Sequence, residues 1–236
     1  GFDDVALFEV GPQFRDATPK GQDFVAAGLR RGRDNRRHWA ETPRPVDAYD
    51  AKADALAVLE AIGAPTASIQ IATEAPGWYH PGRSAVMRLG PKNVLAAFGE
   101  IHPRILDRMD VTGPMVAFEV FIDNAPLPKA KATRNRAELL VSDLPSVQRD
   151  FAFVVDEATT ADSIVRAAKG ADKAFIGDVN VFDIYAGKGI EDGKKSVAIT
   201  ARLAPKDATL TDPEIEAIAA KIVAAVAKAT GAVLRG

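Results

Sequence analysis

Two alternating runs of residues, joined by a glycine-rich connection, constrain the fold of this chain more than any other feature. The runs are residues 181–185, Val-Phe-Asp-Ile-Tyr, and residues 195–203, which begin Lys-Ser-Val-Ala-Ile-Thr. Successive side chains of a strand point to opposite faces of a sheet, so each run has one face for a core and one for solvent. Asp183 and Tyr185 share one face of the first run, opposite Phe182 and Ile184. The two runs therefore predict a β-hairpin with polar residues gathered on one side.

Four further elements surround this hairpin. We predict a strand at 148–155, a helix at 161–168, a second helix from the capping box of Thr211 and Glu214 to Gly231, and a last strand at 232–234. The order β-α-β-β-α-β is typical of a ferredoxin-like sandwich, in which both helices cover one face of a four-stranded antiparallel sheet. We expect the hairpin to form the centre of the other, uncovered face, which is free for a ligand.

The first half of the chain predicts a mostly antiparallel sheet with few helices. Strand-like segments occur at 5–10, 22–29, 67–72, 84–89, 94–99 and 115–122, with helical segments at 50–62 and 101–109. Pro126, Pro128 and alternating Lys and Ala residues then mark a linker. We therefore predict an α+β chain with one domain at 1–123, a linker at 124–139 and a second domain at 140–236. Because the first strand has no lead-in, we expect the first domain to be truncated at its N-terminus.

The composition argues against several classes of site and partner. The chain has no cysteine and three histidines, which excludes disulfides and zinc-thiolate sites and argues against a histidine-rich metal site. No run approaches the roughly 18 apolar residues of a membrane span, so we expect no membrane partner. The absence of cysteine fits a reducing cytoplasm, where we expect the chain to be located. The formal net charge of -2 argues against a protein that holds nucleic acid by charge alone. Any RNA contact should be small or shared with a partner, and no DNA partner is expected.

Two motifs resemble catalytic or phosphate-binding sites only in part. His80-Pro81-Gly82-Arg83-Ser84 brings a histidine near a serine, but Pro81-Gly82 is turn chemistry and no acid is placed to orient His80. A structural or subunit-contact role for His80 and Arg83 is favoured. Residues 187–189, Gly-Lys-Gly, lack the spacing of a phosphate-binding P-loop, which favours a flexible connection between strands.

Several motifs in sequence resemble one known family. Residues 144–155, 182–189, 194–198, 209–212 and the ending Leu234-Arg235 resemble the anticodon-binding domain at the C-terminus of the bacterial phenylalanyl-tRNA synthetase (phenylalanine–tRNA ligase) β subunit. Residues 7–11, 78–85 and 98–103 resemble the class II synthetase-like core of the same subunit. The resemblance covers essentially the whole chain in the right order. One departure is Ala208, where the family often has Arg before Thr-Leu.

The resemblance implies a role in translation as part of an α2β2 ligase. In such an enzyme the α subunit activates phenylalanine with ATP, for which magnesium is also expected, and the β subunit supports it and binds tRNA-Phe. The proofreading site for misacylated tRNA is implied to lie in β-subunit domains before Gly1. Class II synthetases hold ATP with an Arg two positions before a Glu, and the corresponding residue here is Leu7, before Glu9. A neutral aliphatic side chain cannot neutralise phosphate charge, so we expect this chain alone to be non-catalytic and without a cofactor.

The hairpin supplies the candidate tRNA-binding residues. An aromatic ring such as that of Tyr185 can stack on an unpaired base, and a carboxylate such as that of Asp183 can accept hydrogen bonds from its N–H groups, for which guanine is the best partner. Ser196 and Thr200 can add hydroxyl contacts, and Lys195 can touch the anticodon stem. Arg149 can meet phosphate, or pair with Asp150 or Asp183; the sequence does not rank these.

Two other functions are compatible with the sequence. The ferredoxin-like topology also occurs in small-molecule regulatory modules, which commonly bind ligands at helix ends or dimer seams rather than on an open polar sheet face. The chain is also compatible with a purely structural interaction fragment. Loss of tRNA-Phe binding when anticodon bases are altered would distinguish the RNA-binding function from both.

Overall fold

A computed structural model describes residues 2–126, 144–205 and 208–235 of the 236-residue chain. The chain divides into two compact units, Gly1–Arg134 and Asn135–Gly236. Most of the linker predicted at 124–139 lies outside the described residues, so the predicted domain limits stay a prediction. Both units combine antiparallel sheets with a few helices, which confirms the α+β class.

The first unit is a six-stranded antiparallel sheet with strand order β1-β2-β6-β5-β4-β3. Its strands are β1 (Val5–Phe14), β2 (Gln22–Arg31), β3 (Gln70–Ala72), β4 (Tyr79–Leu89), β5 (Asn93–Ile101) and β6 (Met115–Phe121). Two α-helices, α1 (Ala48–Ala61) and α2 (Pro103–Arg108), connect them. The predicted helix at 101–109 is shorter because Ile101 still pairs with Tyr79 in the sheet, and His102 caps the helix by accepting from the Arg104 amide at 3.2 Å.

Helix α1 covers one face of this sheet. Asp47 starts the helix as its N-cap, because its carboxylate accepts from the Tyr49 amide at 2.8 Å while the Asp50 carboxylate accepts from the Asp47 amide at 2.7 Å. Ala51, Ala55 and Leu59 are buried on the inner side of α1. They pack against a core of sheet residues that includes Met87, Leu95, Phe98, Phe118 and Val120. The opposite face of the sheet, which we call the uncovered face, carries no described helix of comparable length.

The second unit is a ferredoxin-like sandwich, as predicted. Its elements are β7 (Val147–Asp156), α3 (Ala161–Ala171), β8 (Ile176–Tyr185), β9 (Lys194–Leu203), α4 (Asp212–Thr230) and β10 (Val233–Leu234). The Glu214 carboxylate accepts from both the amide and the hydroxyl of Thr211 at 2.8 Å, which fixes the start of α4, and Gly231 ends it with φ 69°.

A single core lies between the helices and one face of this sheet. Phe153, Val197, Ile199 and Leu203 of the strands are fully buried against apolar residues of both helices, which include Ile164, Ile218, Ile222 and Val226. Burial of each such side chain stabilises the unit by about 1.5–3 kcal/mol. The opposite face, which we call the open face, is the face that carries the candidate RNA contacts.

The strand order corrects one expectation about the hairpin. The order is β10-β7-β9-β8, so β9 is central and β8 is an edge strand rather than part of the centre of the open face. The long-range pairing of β7 with β9 over residues 147–156 produces this order. Local alternation within β8 and β9 predicts that they pair with each other, but it carries no information about which of them joins β7.

Candidate nucleic-acid interface

The open face is built from paired positions of β8 and β9. Residues directly opposite each other in an antiparallel pair present their side chains on the same face. The pairs are Asp178 with Arg202, Asn180 with Thr200, Asp183 with Ala198, and Tyr185 with Ser196. Asp183 and Tyr185 therefore share the open face, as the alternation of residues 182–185 predicts.

A β-bulge at Phe182 turns Asp183 and Tyr185 outward. Val179 and Val181 pair with Ala201 and Ile199 and face the core. Strict alternation from these two valines would send Asp183 and Tyr185 to the helix-covered face. The register instead passes from Val181 opposite Ile199 directly to Asp183 opposite Ala198, so Phe182 is the extra residue. Phe182 and Ile184 were expected to share a face, whereas only Ile184 follows the pairing, opposite Val197.

Tyr185 is held at the end of β8 by the glycine-rich connection. Its side chain is 40% exposed, and its hydroxyl donates to the backbone carbonyl of Lys188 at 3.2 Å. Gly187 has φ 151°, and a Cβ placed there would lie 3.0 Å from the Tyr185 hydroxyl oxygen. The connection therefore contacts and supports the ring, and only glycine fits at position 187 without strain.

Asp183 offers a free carboxylate beside this ring. The residue is exposed, and its carboxylate has no hydrogen-bond or ion-pair partner among the residues that the structure describes. Ala152 of β7 and Ala198 of β9 lie next to it across the sheet, opposite each other. Their small side chains leave a shallow floor between Asp183 and β7. A planar group placed there could contact the ring of Tyr185 and the carboxylate of Asp183 together.

The two predicted hydroxyl contacts differ in accessibility. Ser196 is only 4% exposed and presents little surface to a ligand. Thr200 is half-buried, and its hydroxyl donates to the Asp150 carboxylate at 2.6 Å. In this state the Thr200 oxygen is free to act only as an acceptor.

Arg149 and Lys195 lie away from the open face. Arg149 is opposite the buried Ala201, and its guanidinium pairs with Glu216 of α4 at 3.1 Å. It therefore pairs with neither Asp150 nor Asp183, contrary to two of the three alternatives from the sequence. Lys195 is opposite the buried Val155, and its ammonium donates to the Glu157 carbonyl at 2.8 Å.

Three polar residues of the open face were not among the predicted contacts. Arg202 lies opposite Asp178, and Asn180 donates to the Asp178 carboxylate at 2.9 Å. This hydrogen bond, with that of the Val179 amide, holds the pKa of Asp178 below its usual value. The alternation in β9 already placed Arg202 on the same side as Thr200, so the sequence did contain a signal for it. Asn180 was missed because of the bulge. Asn180 and Tyr185 lie on the same face although they are five residues apart, whereas regular alternation would put them on opposite faces.

Comparisons with known proteins agree with this geometry. Residues 142–235 match the family model described as "Ferredoxin-fold anticodon binding domain". Residues 1–122, more than half of the chain, match the model described as "Phenylalanyl tRNA synthetase beta chain CLM domain". The chain belongs to the phenylalanyl-tRNA synthetase beta-chain family. The resemblance found in the sequence is thereby confirmed.

Curated members of this family are similar over the whole chain. Proteins named phenylalanine–tRNA ligase beta subunit are 53% identical over 235 residues in Rhodospirillum rubrum, 55% over 236 in Paramagnetospirillum magneticum and 56% over 240 in Cereibacter sphaeroides. Each alignment covers 100% of this chain and 29% of the relative. The chain thus spans less than a third of the length of these ligase subunits.

The part that matches the synthetase CLM domain contains the residues that first suggested a Ser-His site. The Ser84 hydroxyl donates to the backbone carbonyl of His80 at 2.6 Å, and the His80 Nδ1 atom accepts from the Gly82 amide at 3.0 Å. Arg83 forms an ion pair with Glu100 at 2.7 Å. These contacts fix a turn and do not form a nucleophile-base pair. A subunit-contact role for His80 and Arg83 stays a prediction.

Two further features of the described residues bear on ligands and location. No group of three or more His, Asp or Glu side chains in residues 2–126, 144–205 and 208–235 is arranged to hold a metal ion. Within the same ranges, no helix is long and apolar enough to cross a membrane.

Proposed function

We propose that the open face of the second unit binds the anticodon region of tRNA-Phe, and that the chain acts within a cytoplasmic phenylalanine–tRNA ligase. The observation that carries the proposal is the bulge at Phe182, which sets an exposed tyrosine ring and an unpaired carboxylate side by side on a sheet face free of helices. The match of residues 142–235 to an anticodon-binding domain supports it.

Recognition rests on one stacking contact and one acceptor. Stacking of an unpaired base on Tyr185 contributes roughly 1–3 kcal/mol. The Asp183 carboxylate can accept from two N–H groups on the Watson-Crick edge of guanine, and it would repel a base edge that presents only acceptors. The open face also carries Asp150 and Asp178 beside Arg202, so it is suited to recognise bases rather than to hold phosphates.

The first unit supports a catalytic α subunit in this proposal and is not itself catalytic. Leu7 occupies the position where an ATP-binding arginine is expected, and it lies opposite Leu29 in an apolar part of the sheet. ATP and magnesium are cofactors of the whole ligase. A charging activity of this chain without an α subunit would contradict this part of the proposal.

The test is tRNA binding by the assembled ligase that contains the full-length β subunit. Tyr185→Ala should weaken the binding of tRNA-Phe by about five-fold or more, and Asp183→Asn should reduce discrimination against altered anticodon bases. Tyr49→Ala is a matched control, because Tyr49 is an exposed tyrosine of the first unit. Equal affinity of the wild-type ligase for normal and altered anticodons would exclude the proposed function.

A further inference from the structure

A cavity of about 480 Å³ lies on the uncovered face of the six-stranded sheet. Its floor is formed by β1, β2 and β6. One wall is formed by Trp78, the residue before β4, and by Tyr79, the first residue of β4. This volume falls in the range of small-molecule sites, which are mostly apolar with a few convergent polar groups. We call it the Trp78 cavity. It belongs to the first unit and takes no part in the proposed anticodon contact.

One carboxylate is fixed in this cavity by two donors from the wall. The Oε2 atom of Glu119 accepts from the indole Nε1 of Trp78 at 2.9 Å and from the hydroxyl of Tyr79 at 3.2 Å. The Oε1 atom accepts no hydrogen bond from the residues that the structure describes. Tyr79 is 2% exposed, and burial together with the nearby Glu119 raises the pKa of its hydroxyl, so the phenol stays a neutral donor. The orientation of Glu119 is therefore fixed while one oxygen remains free.

The charge of the side chains that line the cavity determines the sign of the charge that a ligand must carry. Glu9 lies in the row Glu9–Ala27–Glu119 across the sheet, so both carboxylates occupy the same face, separated by one small residue. None of the residues that line the Trp78 cavity is Lys, Arg or His. An indole ring, here that of Trp78, also attracts cations through its face. An anion placed in this site would be repelled by the two carboxylates, and a cation would be stabilised.

The rest of the cavity lining is apolar and favours a ligand whose uncharged part is also apolar. Leu7, Leu29, Ile101 and Ala117 provide apolar floor and wall around the carboxylate. A small hydrated metal ion would leave this apolar surface exposed to water. A primary ammonium attached to an apolar or aromatic group can satisfy Glu119 and cover the apolar surface at the same time.

We propose that the Trp78 cavity binds an organic cation, a primary ammonium on an apolar body, with Glu119 as its counter-ion and Trp78 as its aromatic wall. The two carboxylates oppose binding of a ligand that carries its own carboxylate near the ammonium. The site is therefore distinct in specificity from a site for a free amino acid.

The test uses the fluorescence of Trp78 in the full 236-residue chain. The chain has two tryptophans, and Trp39 is 93% exposed and outside the cavity, so Trp39→Phe leaves Trp78 as the reporter. The probes are 2-phenylethylamine, its neutral analogue 2-phenylethanol, and phenylalanine. We expect a saturable change with the amine, and binding at least about tenfold weaker for the alcohol, which lacks the charge-assisted hydrogen bond. Phenylalanine should also bind more weakly than the amine.

Two variants separate the charge from the shape of the site. Glu119→Gln keeps the acceptor for Trp78 and Tyr79 and should make the amine and the alcohol bind equally. Glu9→Gln, at an exposed position, should weaken binding of the amine a few-fold without changing binding of the alcohol. The comparison of the three probes on the Trp39→Phe chain does not depend on the Glu119→Gln or Glu9→Gln variants, so it tests the proposal even if either of these fails to fold. Equal binding of amine and alcohol, tighter binding of phenylalanine than of the amine, or no saturable change would each overturn the proposal.

Discussion

Gly187 shows how one residue supports the candidate RNA contact. Its φ of 151° is unfavourable for any other residue, and an added Cβ would meet the Tyr185 hydroxyl. Gly187→Ala should therefore destabilise the second unit by about 1–2 kcal/mol and weaken tRNA-Phe binding, as measured by urea unfolding and tRNA titration.

A matched glycine gives the opposite expectation. Gly170 lies inside α3, and a Cβ placed there would meet no atom within 4 Å. Gly170→Ala should stabilise the unit by about 0.5–1 kcal/mol and leave tRNA binding unchanged. If both substitutions changed stability alike, the special geometry assigned to Gly187 would be wrong.

The pair Arg44 and Asp50 at the start of α1 predicts a pH dependence. The guanidinium of Arg44 donates to the Asp50 carboxylate at 2.7 Å, and this hydrogen bond, more than that of the Asp47 amide, lowers the pKa of Asp50. A carboxyl group with a lowered folded-state pKa contributes stability above its unfolded pKa of about 4, and this contribution is lost as the pH falls through the folded value.

Arg44→Met should accordingly reduce the stability of the first unit at neutral pH. The difference between wild type and variant should shrink as the pH falls below the unfolded pKa of about 4 and Asp50 becomes protonated in the folded protein as well. Urea unfolding at several pH values measures this. A difference that stayed constant down to low pH would show that Arg44 acts through packing rather than through Asp50.

At the scale of elements, the bulge in β8 is the feature that sets the site. Deletion of Phe182 would remove the extra residue and leave Asp183 opposite Ala198 and Tyr185 opposite Ser196, so both side chains would stay on the open face. We therefore expect the deletion variant to retain discrimination between anticodons in tRNA binding. Phe182→Ala, which keeps the number of residues, is the matched control and should also retain discrimination. Loss of discrimination in the deletion variant but not in Phe182→Ala would show that the bulge itself, and not only the strand pairing, is needed to place these side chains.

The sequence predicted the elements of the second unit better than their arrangement. The strands, the helices and the capping residues Thr211 and Gly231 follow from local patterns, because alternation and capping act within a few residues. The edge position of β8 depends on pairing between β7 and β9, about 50 residues apart, which no local pattern encodes. The sequence did contain a signal for the bulge. The apolar residues occupy odd-numbered positions at Val179 and Val181 but even-numbered positions at Phe182 and Ile184.

At the scale of the whole molecule, the near-neutral charge predicts how tRNA binding depends on salt. The chain carries 30 basic and 32 acidic residues, and the proposed base contact is not ionic. The affinity of the ligase for tRNA will fall with salt, because phosphate contacts elsewhere release counterions. The ratio of affinities between wild type and Tyr185→Ala should stay constant, since stacking releases none. Titrations at several salt concentrations measure this ratio, and a ratio that fell steeply would indicate a phosphate contact at Tyr185.

The position of β8 at the edge of its sheet has a consequence for solubility. An edge strand exposes unpaired backbone groups, and here Phe182 and Ile184 add exposed apolar side chains, a combination that favours pairing between copies of a chain. A bulge twists the edge and breaks the regular spacing that a second strand would need. We therefore expect the extra residue at position 182 to oppose edge-to-edge pairing between copies of the chain, and a β8 shortened by this residue to aggregate more during expression.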